Sequence, residues 1–117
     1  MYYLIIQLYK TEYKEDVLLA MTTCGISKGN LFEGQNIDNI LEEDVPIFAG
    51  LINPESQRAR QTIMITAVLD KKERVEMLMQ LLEEAGIEVA SGEILKTILL
   101  PVEMVTSGAT SWDRGKK

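Results

Sequence analysis

The side chains that carry most protein chemistry are scarce in this chain. Its 117 residues include no histidine, which removes the commonest general base and metal ligand, and with them any Ser-His or Cys-His nucleophile pair. A single cysteine, Cys24, excludes an intrachain disulfide and suits a reducing compartment. It falls on an apolar stripe, where a free thiol behaves as a small buried hydrophobe. The acidic run Glu42-Glu43-Asp44 offers oxygen ligands to a hard cation, and its simpler reading is a solvated turn. No P-loop and no G-x-G-x-x-G occurs. A small carboxylate-based enzyme is an alternative, but no pair of acids stands out. Binding chemistry is left to Arg58 and Arg60, two residues apart and so on one face of a strand. Their planar forks suit phosphate. Glycines inside a strand, as at Gly29 and Gly34, mark a bulge or a close approach of another backbone or a ligand, and a weak edge strand is the plainer alternative.

Two strand-helix units must position these residues. In the second unit, Thr62 to Leu69 reads as a strand, Asp70 as an N-cap, and Val75, Leu78, Met79, Leu82 and Ala85 as the apolar stripe of a helix. Gly86 supplies the left-handed stop, and Ile87 folds back on the last turn. The first unit repeats this grammar with strand Tyr3 to Tyr9, cap Thr11, stripe Tyr13, Val17, Ala20, Met21 and Cys24, and stop Gly25-Ile26. The repetition predicts an α+β, ferredoxin-like βαββαβ sandwich over residues 1–105, with one sheet, two helices on one face, and the first strands of both units central. Lys28 to Gln35 is the expected second strand, Glu88 to Gly92 a short edge strand, and Glu93 to Pro101 the last strand.

Both central strands are apolar on both sides. Leu4, Ile6 and Leu8 alternate with Tyr3, Ile5 and Gln7, and Ile63, Ile65, Ala67 and Leu69 alternate with Met64, Thr66 and Val68. Two helices cover one face only, so the other calls for oligomerisation. Residues 36–61 exceed the minimal plan, and an excursion of that length is a natural partner-binding element. Ile47, Phe48 and Leu51 are its apolar candidates for contact. Residues 106–117 read as a polar tail that frays in an isolated subunit, with Trp112 as an anchor.

Composition sets the remaining bounds. A hydrophobic share of 46 % and a charged share of 26 % belong to one globular domain. The net charge of -6 argues against a nucleic-acid partner. The apolar N-terminus lacks a positive flank and is broken by Gln7 and Lys10, so it reads as a strand rather than a signal sequence. No apolar run approaches the roughly 20 residues of a membrane span. The expected location is cytoplasmic.

Three stretches resemble the PII family of trimeric signalling proteins. They are Glu15-Asp16-Val17-Leu18-Leu19-Ala20 through Gly25-Ile26-Ser27-Lys28-Gly29; Val68-Leu69-Asp70-Lys71 with the helix to Gly86; and Ser91-Gly92-Glu93-Ile94 followed by Leu100-Pro101-Val102-Glu103-Met104-Val105. The Pro-Val-Glu-x-Val run is the most specific of them. The resemblance implies a compact homotrimer with its sheets inside, a role in nitrogen-related regulation without catalysis, and adenine nucleotide binding between subunits. It also implies a T-loop, residues 36–61, that reaches a target such as a transporter or an enzyme. Gly29, Asn30, Ser91 and Gly92 then border the nucleotide. The chain departs from the family where a basic residue faces the phosphates, since Glu93 stands there, and Arg58 and Arg60 become the substitute cations. CutA proteins and ACT domains share the fold and imply an adaptor without nucleotide.

Overall fold

The computed structural model describes residues 1–37, 61–107 and 111–113. Strand β1 (Tyr2–Leu8) leads through a 3-10 turn (Thr11–Tyr13) into helix α1 (Lys14–Thr23), and β2 (Asn30–Gln35) follows. Strand β3 (Gln61–Leu69), helix α2 (Glu73–Glu84) and β4 (Leu95–Pro101) form the second unit. The four strands make one antiparallel sheet in the order β2-β3-β1-β4, so β1 and β3 are central, as the duplication predicts. The architecture is mixed α+β and compatible with a ferredoxin-like fold.

The core lies between the helices and one face of the sheet. Leu4, Ile6 and Leu8 of β1 and Ile63, Ile65, Ala67 and Leu69 of β3 pack there with Val17 and Met21 of α1 and Val75, Leu78 and Leu82 of α2. Period two in the strands and period 3.6 in the helices therefore place the same residues inside that the sequence selects. Ala85 is the exception. It is exposed, because α2 ends there and the chain turns away.

Both helices end as expected. Gly25 and Gly86 take φ values of 77° and 86°. In the first unit the Gly25 N–H donates to the Thr22 carbonyl at 3.0 Å and the Ile26 N–H to the Met21 carbonyl at 2.9 Å. In the second, Gly86 donates to Glu83 at 3.0 Å and Ile87 to Leu82 at 2.8 Å. These are paired Schellman bonds, and each isoleucine is buried behind them.

The helix starts differ from expectation. Asp70 does not cap α2, because the helix begins three residues later behind Lys72 and the Asp70 carboxylate is taken by Arg74. Thr11 does not cap α1 either; it opens the 3-10 turn, and no side chain caps that turn or α1. Strand β2 begins at Asn30 rather than Lys28, since Lys28 sits at φ 61°, a conformation outside the strand region. Residues 88–92 hold no strand, and the chain bends from residue 90 onward. Within the stretch read as a tail, Val105–Ser107 (β5) pairs with Ser111–Asp113 (β6) as a small antiparallel sheet. The side chain of Trp112, the apolar candidates Ile47, Phe48 and Leu51, and Arg58 and Arg60 lie outside the described residues.

Candidate functional site

The sheet face opposite the helices is open. Directly paired residues in an antiparallel ladder share a face, and the register builds that face in rows. One row is Val68, Tyr3 and Leu100; the next is Asn30, Thr66, Ile5 and Ile98; the third is Phe32, Met64, Gln7 and Lys96. Phe32 is 50 % exposed, Leu100 46 % and Val68 44 %. Only Thr66 is closed off, at 4 %. The four strands thus display aliphatic and aromatic side chains across the full width of the sheet, with Lys96 on β4, Gln7 on β1 and Asn30 on β2 among them.

Of the residues implicated in nucleotide binding, Gly29 and Asn30 stand together at the entry to β2. They line a cleft of about 180 Å³ with Leu18, Met21, Leu31 and Ile65, between α1 and the sheet. Gly29 has a structural cause of its own. A Cβ there would stand 2.5 Å from the Thr66 carbonyl oxygen, so the chain passes too close to β3 for a side chain. The close approach expected at this glycine is to another backbone.

Ser91 and Gly92 are not brought to that place within one chain. They precede β4, which starts beside Leu8 at one end of β1, whereas Asn30 is level with Thr66 and Ile5, three residues along from that end and two strands across. Gly92 adopts φ 77°, and the Ser91 hydroxyl accepts the Glu93 N–H at 3.2 Å. Their positions are those of a tight surface turn.

The larger described cleft lies at the other end of the sheet, where Gly25 to Lys28 meets Val68 to Arg74. Its volume is about 450 Å³, and Met1 and Val105 complete its wall. Arg74 fixes this corner. Its Nε donates to Asp70 Oδ1 at 2.7 Å and its Nη2 to Asp70 Oδ2 at 3.4 Å, while Nη1 crosses to the Cys24 carbonyl oxygen at 3.0 Å. The second unit thereby holds the end of α1 in the first. The guanidinium hydrogen bond pulls the Asp70 carboxyl below its ordinary value, helped by the charges of Arg74 and Lys71, and Asp70 in turn raises Arg74. Burial pushes the Cys24 thiol up, partly offset by Arg74. Sequence reasoning missed this bridge. The Asp70-Arg74 spacing of four was visible, but the contact from Arg74 to Cys24 spans 50 positions and no local pattern encodes it.

No helix among the described residues is long and apolar enough to cross a membrane. No protein-family model matches the chain, and no curated protein matches it either.

Proposed function

We propose that the chain is a non-enzymatic, PII-like regulatory protein of the cytoplasm. It assembles as a homotrimer through the open sheet face, binds a small effector between subunits, with an adenine nucleotide the first candidate, and engages a target protein through residues 36–61. The observation that carries this reading is the apolar face of Tyr3, Ile5, Met64, Val68, Ile98 and Leu100, which no described element covers. A contiguous surface of that kind marks an interaction site, and a second and third copy of the same sheet supply matching apolar area. The position of Gly29 and Asn30 on β2 and of Ser91 and Gly92 before β4 is compatible with a site that needs two copies to close.

Light scattering coupled to gel filtration tests assembly. A mass of three chains at micromolar concentration is expected, and a monomer refutes the proposal. Ile5→Glu should dissociate the trimer, since a carboxylate buried without a partner costs several kcal/mol. Effector binding is read separately from thermal shifts with AMP, ADP, ATP and cyclic AMP. A ligand at 100 times its Kd adds about 2.7 kcal/mol to the native state. A trimer that no nucleotide shifts is an adaptor instead.

A further inference from the structure

We infer that the cleft between the 25–28 turn and the 68–74 segment binds a small organic anion, a phosphate monoester or carboxylate carried on an apolar body. The cleft is lined by one chain and borders the proposed interface at Val68; the inference goes beyond the intersubunit effector and does not need the trimer to form the site. Three observations carry it.

The first is charge. The whole chain has a net charge of -6, yet Lys28 and Arg74 line this cleft against Asp70, and the charge of Lys71 also acts on Asp70. Arg74 and Asp70 satisfy each other. Lys28 lines the cleft and has no ion-pair or side-chain hydrogen-bond partner among the described residues. An anion entering there meets a cation whose charge is not already matched. An attractive site on an otherwise acidic protein also favours anions locally against the long-range field.

The second is shape and lining. Val68 and Val105 provide the accessible apolar side of the cleft, with Ile26 and Leu69 buried behind it, while Ser27 and Lys28 place a hydroxyl and an ammonium on the turn. A site with a few convergent polar groups on an apolar lining is what orients a small ligand. Inorganic phosphate would use only the Lys28 side of it. A body of several carbon atoms is needed to cover the Val68 side.

The third is rigidity. Lys28 is the one non-glycine residue with positive φ among the described residues, and the chain on either side of it is held. On one side, Arg74 ties the Cys24 carbonyl to α2; on the other, Gly29 lies against the Thr66 carbonyl. The ammonium therefore projects from a fixed backbone. Less ordering remains to be done when a ligand binds.

The test is a titration followed by backbone amide NMR, with phenyl phosphate and hexanoate as probes and with inorganic phosphate and hexanol as controls. Saturable shifts at Ser27, Lys28, Val68 and Asp70 with either anion, weaker with both controls, are expected. Shifts with phenyl phosphate alone identify a phosphate monoester, and shifts with hexanoate alone a carboxylate. Lys28→Gln should weaken binding about tenfold, as loss of one charge-assisted hydrogen bond does, and Lys28→Arg should restore it. Lys96→Gln, at the far margin of the open face, should leave it unchanged. Equal binding of hexanol, equal binding by Lys28→Gln, or no saturable shift with either anion overturns the site. Repeating the titration on Ile5→Glu separates it from assembly: binding that persists in the dissociated chain supports a site complete in one subunit, and binding lost with the trimer overturns that claim.

Discussion

The two halves of this chain close their helices with the same pair of hydrogen bonds but surround them differently. At the end of α2, a Cβ added to Gly86 would meet nothing within 4 Å, and the residue before it, Ala85, is exposed. At the end of α1, a Cβ on Gly25 would stand 2.5 Å from Arg74 Nη1, and the residue before it, Cys24, is buried, only 3 % exposed. One stop is a local device; the other is also a joint between the units. The difference shows that a repeated sequence signal fixes the local backbone while tertiary contacts decide how much depends on it.

The largest effect that follows is at Gly25. Left-handed backbone costs a residue with a Cβ about 1–2 kcal/mol, and at Gly25 the new methyl must also displace the guanidinium from the Cys24 carbonyl. Gly25→Ala should therefore destabilise by more than that strain alone, read as a shift in the denaturant midpoint. Gly86→Ala should cost only the strain, about 1–2 kcal/mol. Equal midpoints for the two variants would show that the joint carries no energy. Double substitution sharpens the comparison: in an Arg74→Met background, Gly25→Ala should fall to the cost of Gly86→Ala, because the displaced group is gone. Arg74→Met by itself should be milder than Gly25→Ala, since it leaves the backbone unstrained.

The same contrast explains how much could be read beforehand. The strand and helix faces and both glycine stops follow from periodicity and from backbone sterics, which are local, while the central place of β1 and β3 follows from the duplication; each is present in the structure. Helix starts were less legible. Asp70 has the right chemistry for a cap, but an arginine four residues on competes for its carboxylate and wins, and α2 starts without a side-chain cap. Residues 88–92 look like a strand by composition, yet the segment joins no ladder and leaves the outer edge of β4 unpaired by it. The candidate cleft was the least legible part. It joins the turn after α1 to the end of β3, and Lys28, which has no ion-pair partner among the described residues, looks in sequence like an ordinary strand residue. Arg58 and Arg60, which the sequence favours for phosphate, lie outside the described residues.

The smallest expected effect is the pH dependence of the joint, and its sign distinguishes the two units. Asp70 is held below its ordinary carboxyl value of 3.8, first by the hydrogen bond from Arg74. A group whose folded value is depressed contributes stability that is present above the unfolded value and is lost as pH falls through the folded one. Cys24 acts at the other limit. Its thiol is raised from 9.0 by burial, so its contribution is present below pH 9 and declines as pH rises toward the folded value, where the unfolded chain ionises first. Both groups belong to the Arg74 joint, and the α2 stop has Ala85 where α1 has Cys24. Stability should thus decline slightly below pH 4 and again above pH 9. Arg74→Met should flatten the acid limb, because the Asp70 value rises back toward 3.8 without its donor, while Cys24→Ala should flatten the alkaline limb and leave the acid one unchanged. Urea midpoints measured from pH 3 to pH 10 on the three proteins check this, and an acid limb of unchanged slope in Arg74→Met would place the titrating group outside the joint.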